Sequence, residues 1–137
     1  MALVKTIKSE NGIVMTYHRI DHFETSQDLK IFVKSYADES YRLTEKQAIE
    51  DVAKSNELRS KISEEMGKRG TDDYNEELIK TLTEEANKLG FPVITDLSIM
   101  TRQFQYPLDK TSEFSYPIFY GWLKSEDIFK DAEDLLD

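Results

Sequence analysis

Imidazole is the commonest acid–base group near neutral pH and a frequent metal ligand, so the histidines are the first residues to test for chemistry. There are two, His18 and His22. Four apart on a helix, they would share a metal. They lie instead in Ile13 to Phe23, a stretch rich in β-branched and aromatic residues that reads as a strand. On a strand, positions 18, 20 and 22 share one face at roughly 7 Å per two-residue step. Asp21, the nearest third ligand, would then point to the opposite face. The expectation is two ordinary strand-surface histidines and no metal site.

Paired carboxylates are the next candidates: Glu64-Glu65, Asp72-Asp73, Glu76-Glu77 and Glu84-Glu85. General acid–base work, as in a carbohydrate hydrolase, needs two carboxyls in different environments, one with a raised pKa. These pairs are adjacent in sequence and interleaved with Lys and Arg, which reads as a solvated helix face. Asp96 follows Val93-Ile94-Thr95, where a strand-end catalytic aspartate would sit, but a local turn or cap role is the simpler reading. The sequence holds no G-x-S-x-G, no H-E-x-x-H and no EF-hand loop, and five scattered glycines make no phosphate cradle. With no cysteine, disulfides, thiolate metal sites and thiol nucleophiles are excluded together. No catalytic, cofactor-binding or metal-ligating residue is therefore expected, and the chain reads as a non-enzyme.

The aromatics carry more information. Phe104, Tyr106, Phe114, Tyr116, Phe119, Tyr120 and Trp122 crowd one short stretch. A core where a C-terminal helix packs on a sheet would use many of them. Tyr and Trp also anchor partners, because they bury large area with few rotatable bonds. Tyr106, Tyr116, Tyr120 and Trp122 are the candidate partner contacts, at a protein interface or as a stacking platform for sugar rings.

The elements that must position these residues fall into three segments. From Leu3 to Arg42 the pattern is β. Leu3 to Lys8 is a short strand, and Asn11-Gly12 is a strong hairpin dipeptide because both residues tolerate positive φ. In Leu29 to Tyr36, Leu29, Ile31 and Val33 point one way and Lys30 and Lys34 the other. From Leu43 to Gly90 the pattern is a helical hairpin. Thr44 and Gln47 have capping-box spacing. Ile49, Val52, Leu58, Ile62 and Met66 form an apolar stripe interrupted at Ser55-Asn56, and Gly67 and Gly70 close the helix. The second helix opens at Thr71 or Asp72 and places Leu78, Leu82, Ala86 and Leu89 on one face, with Gly90 at its end and Pro92 beyond. From Phe91 onward, Leu97 to Tyr106 is a strand and Pro107 to Glu113 a loop. Ile118, Phe119, Trp122 and Leu123 share a short helix face, and Ser125 caps a last helix with Ile128, Phe129, Ala132 and Leu135 inward.

This order predicts an α+β fold. A mainly antiparallel β-sheet or sandwich carries an inserted helical hairpin at about 43–90 and a C-terminal helix, in one domain spanning 1–137. The length of 137 residues and 39% hydrophobic content suit one core. The net charge of −9 disfavours nucleic-acid phosphate and anionic membrane surfaces. No apolar run approaches the roughly 20 residues of a membrane span.

Three stretches also carry a resemblance. The opening Leu3-Val4-Lys5-Thr6-Ile7-Lys8, Glu10-Asn11-Gly12-Ile13 and Tyr17-His18-Arg19-Ile20-Asp21 resembles the start of small proteins encoded in the tail region of siphophages of Gram-positive bacteria. Leu29 to Tyr36, followed by Ala37-Asp38 and Arg42, is similar, as is the ending Tyr120-Gly121-Trp122-Leu123-Lys124-Ser125 with Phe129-Lys130-Asp131-Ala132-Glu133-Asp134. A looser likeness is to the shoulder domain of lactococcal phage receptor-binding proteins. The resemblance leaves out about Leu43 to Gly90 and carries over no functional residue. It implies a non-enzymatic structural or adaptor protein of the tail or baseplate. Such a protein assembles in the host cytoplasm into the virion, as a homo-oligomer where the tail is symmetric. Its expected partners are other phage tail proteins or a host surface ligand, with no cofactor, no nucleic acid and no membrane insertion. The alternative, resting on charge, is an acidic cytoplasmic inhibitor or regulator of a host nucleic-acid-binding protein. Lys46, Lys54, Arg59, Lys61, Lys80 and Lys88 break the carboxylate array that such mimicry needs.

Overall fold

The computed structural model describes Met1–Leu136. The fold is α+β, with a five-stranded antiparallel sheet, a helical hairpin and a helix near the C-terminus. The chain divides into two compact units, Met1–Arg42 with Leu97–Asp137, and Leu43–Asp96.

The first unit holds the sheet: β1 (Ala2–Lys8), β2 (Val14–Thr25), β3 (Leu29–Tyr36), β4 (Met100–Tyr106) and β5 (Glu133–Leu135), in the order β4-β3-β2-β1-β5. The Asn11-Gly12 signal is used as a tight turn between β1 and β2, where Gly12 takes φ of +82° and donates its amide to the Ser9 carbonyl at 2.9 Å. Any residue with a Cβ would be strained at that φ. The alternation in β3 places Leu29, Ile31, Val33 and Ser35 on the inner face, all buried. Against this face lie Phe119, Tyr120 and Leu123 of the helix Tyr116–Lys124, together with Phe129 from a 3-10 turn over Asp127–Phe129. Fully burying each such side chain is worth about 1.5–3 kcal/mol, which makes this cluster the main source of the unit's stability.

The remaining helices are α1 (Glu39–Met66) and α2 (Glu76–Leu89), and Tyr116–Lys124 is α3. α1 begins five residues before the Thr44 cap that the sequence suggests, because Asp38 accepts from the Ser40 amide at 2.8 Å and satisfies an early amide first. Ser55-Asn56 does not interrupt α1, and Ser55 is buried with its hydroxyl accepting from Arg59. In the second unit α1 and α2 share a thin core of Leu58, Leu82 and Ala86, flanked by Ile62 and Leu89. The second helix starts at Glu76, not at Thr71 or Asp72, and Asn75 caps it: the Asn75 side chain accepts from the Leu78 amide at 3.1 Å. Glu65, the one buried carboxylate of the acidic pairs, accepts from the Asn75 amide at 2.7 Å and from Lys68 at 3.3 Å.

The last helix expected from Ser125 is replaced by the 3-10 turn and β5. Asp131 adopts a positive φ of 65°, which ends helical geometry. The chain then gives its hydrogen bonds to the open edge of β1, with Ala2 opposite Leu135 and Val4 opposite Glu133. Leu135 thereby reaches a small cluster of Ala2, Tyr17 and Tyr36 on the outer face of the sheet.

Candidate functional site

A bulge in β2 decides where the polar side chains go. The register with β3 runs His18 opposite Ser35 and Ile20 opposite Val33, then shifts so that His22 is opposite Phe32. An extra residue in one strand turns the following side chains to the other face. His18 and His22 therefore lie on opposite faces, contrary to the shared face that uninterrupted alternation gives.

On the outer face His22 stacks on Phe32 with ring centroids 4.5 Å apart, and its Nδ1–H donates to the Asp21 carboxylate at 2.8 Å. Asp21 also meets Arg19 at 3.2 Å and Lys34 at 3.7 Å. Partial burial pushes the Asp21 carboxyl upward, but the His22 hydrogen bond and the Lys34 and Arg19 charges outweigh it and hold the group below the usual carboxylate range.

On the inner face His18 is fully buried, not a surface residue. Its Nε2 faces the Lys5 carbonyl at 2.8 Å, and a carbonyl only accepts, so Nε2 carries the proton. Burial lowers the His18 pKa, reinforced by the Arg102 and Lys5 charges and opposed by the bond to the Lys5 carbonyl, so the ring is neutral. Its Nδ1 then accepts the Ser35 hydroxyl proton at 2.8 Å. Ser35 Oγ in turn accepts from Arg102 Nη1 at 3.0 Å. Four groups form one directional chain, Arg102 to Ser35 to His18 to the Lys5 carbonyl, held by β4, β3, β2 and the irregular stretch of β1 between Val4 and Ile7. Phe129 meets the His18 ring edge-on at 5.2 Å.

A serine beside a histidine is a nucleophile–base pairing by residue type. In this sheet Ser35 has no exposed surface, so a substrate carbon does not reach its hydroxyl, and the relay's effect is to orient Arg102. Arg102 emerges at an open cavity of 410 Å³ lined by Ile7, Lys8, Ser9, Glu10, Asn11, Met100, Arg102 and Ile128.

The four aromatic candidates separate. Tyr120 is withdrawn into the core: it is 1% exposed, and its hydroxyl accepts from the Ile20 amide and donates to the Met1 carbonyl, each at 2.8 Å. Burial raises its pKa to about 12. A buried phenol needs such partners, and this one spends its polar atom on them. Tyr106 and Trp122 are half-buried, with rings 5.1 Å apart, and Lys110 Nζ sits 5.4 Å from one centroid and 5.1 Å from the other. Tyr106 donates to Glu126 at 2.6 Å, and burial and that carboxylate raise its pKa. Tyr116 remains 40% exposed beside Phe114 at 42%, and both rings lie 6.2 Å from Phe23. Within the aromatic stretch from Phe104 to Trp122, the exposed surface is thus Phe114 and Tyr116, with Phe23 half-buried behind them.

Sequence reading passed over Ser35 and Arg102. Ser35 continues the inward series 29, 31, 33, 35, so a hydroxyl at a core position was the available signal. Among the described residues no group of three His, Asp or Glu side chains could hold a metal ion, and no helix is long and apolar enough to cross a membrane. In comparisons with known proteins, no family model, no curated protein and no solved structure matches this chain.

Proposed function

We propose that this protein is a non-enzymatic structural or adaptor domain of a phage tail, binding another tail component or a host surface ligand. The observation that supports this reading is the partition of the chain. The segments that resemble siphophage tail-region proteins all lie in the compact unit formed by Met1–Arg42 and Leu97–Asp137. Leu43 to Gly90, which the resemblance leaves out, falls entirely in the other unit, Leu43–Asp96. A resemblance split across both ends of a chain is then continuous in space, as a shared domain with an insertion would be. The exposed pair Phe114 and Tyr116 and the half-buried Tyr106 and Trp122 offer contact area of the kind protein interfaces favour.

Mass spectrometry of purified particles from the phage or prophage that encodes the chain tests the proposal. The expected result is a stoichiometric signal that persists after density-gradient purification. Its absence from intact, infectious particles overturns the virion role.

A further inference from the structure

We infer that the cavity headed by Arg102 is a binding site for a monoanionic carboxylate carried on an apolar body. This site goes beyond the proposed tail role and does not depend on it.

The case begins with charge. Arg102 is half-buried, and partial loss of water lowers its pKa. Among the described residues no carboxylate lies within ion-pairing distance of it. Among the described residues its one hydrogen-bond partner is the Ser35 hydroxyl at 3.0 Å. A guanidinium carries five N–H donors in a planar fork, so four remain to be satisfied. In a chain of net charge −9, which holds 27 acidic residues against 18 basic ones, an arginine without a carboxylate is a position kept open for one.

The relay behind Arg102 keeps the fork in place. Ser35 Oγ accepts from it while the serine proton is directed at His18 Nδ1. His18 Nδ1 is able to take that proton because the ring's own N–H, on Nε2, is committed to the Lys5 carbonyl at 2.8 Å. Three strands thus orient one guanidinium, the kind of support behind a binding group that makes its geometry reproducible.

The walls set the ligand's body and charge. Ile7, Met100 and Ile128 are apolar, and Lys8 and Asn11 add polar rim groups. A volume of 410 Å³ falls in the range of small-ligand sites. Glu10 and Lys8 line the same cavity with opposite charges, which leaves Arg102 as its net positive charge, a match for a monoanion rather than for a dianion such as phosphate. A single carboxylate pairs bidentately with the fork and leaves its chain for the apolar wall. Short aliphatic acids present this chemistry, as does the free C-terminus of a partner chain that ends in a branched apolar residue.

The test is a titration of the ¹⁵N-labelled full chain, followed by amide chemical shifts, with hexanoate, hexanamide, a short peptide ending in leucine with a free carboxylate, and the same peptide amidated. Hexanoate or the free-acid peptide is expected to shift Ile7, Lys8, Met100 and Arg102 saturably, while both amides leave them unmoved. Shifts from the free-acid peptide at concentrations where hexanoate is silent assign the site to a chain terminus, and the reverse order assigns it to free acids. Arg102→Gln should weaken whichever acid binds by about tenfold or more, the loss expected for one charge-assisted fork. Arg102→Lys should recover only part of that loss. Amides binding as well as acids, or no saturable shift from either acid at millimolar concentration, overturns the inference. The acid–amide contrast is made on the wild-type chain and decides the matter even where Arg102→Gln fails to fold.

Discussion

The two halves of β2 put nearly the same residue types to opposite uses. Up to Ile20 the strand sends His18 inward, where it is desolvated, neutral and held at both ring nitrogens. Beyond the bulge it sends His22 outward, where the ring is solvent-facing and meets Asp21, Glu24 and Phe32. The inner pair of histidine and serine has no water to fall back on, so each lost partner leaves an orphaned polar atom. In the outer network of Arg19, Asp21, His22 and Lys34, water and salt substitute for any missing member. Geometry alike on paper therefore differs severalfold in energetic weight, and the difference comes from burial.

Substitutions can break that contrast in order of effect. The largest is expected from His18→Ala, which orphans the Ser35 hydroxyl and the Lys5 carbonyl and opens a void beside Phe129. About 2–4 kcal/mol of unfolding free energy should be lost, read from urea midpoints at constant m. Equal stability of this variant and His22→Ala would abolish the distinction between the two faces.

The next effect is pH dependence. Burial lowers the folded pKa of His18 below the ordinary imidazole value of 6.5. The unfolded chain therefore binds a proton more readily than the folded one. The stability this group supports is complete above the unfolded value and declines as pH falls below it toward the depressed folded value. Urea midpoints measured across that window should drop toward acid in the wild type and flatten in His18→Asn. A slope that survives His18→Asn would mean another group carries it.

The smallest effect belongs to Asp21→Asn. Its charges are partly exposed, so the cost should stay within about 1 kcal/mol and shrink further in high salt. Because the Asp21 pKa is lowered, this contribution is present above 3.8 and lost only as pH falls below it. It is thus separable from that of His18 by pH. A cost matching that of His18→Ala would show that the outer network is as tightly held as the inner one.

Much of the fold was legible because its signals are local. The alternation of Leu29, Ile31 and Val33, the Asn11-Gly12 turn and the stripe Leu82, Ala86, Leu89 each act within a few residues. The misreadings concern competition with distant groups. Ser125 to Leu135 has a helical apolar period, yet the open β1 edge 130 residues away takes the last segment as a strand. The β2 bulge was invisible because nothing in Ile20-Asp21-His22 requires an extra residue; the register of β3 imposes it. Tyr120 looked like a surface anchor until the Ile20 amide and Met1 carbonyl, both remote in sequence, used its hydroxyl. Arg102 drew no reading from the sequence, because only the pairing of β4 with β3 brings it to Ser35.

The pairing of Ala2 with Leu135 has a consequence for biosynthesis. β1 is made before the other strands of this sheet, and β2 covers only one of its edges. The other edge waits for residues made more than a hundred positions later, roughly ten seconds at common translation rates. Throughout that interval a nascent chain carries an unpaired strand next to a growing aromatic core. Until β5 is made and docks, that edge is a template for pairing with a neighbouring nascent chain on the same messenger.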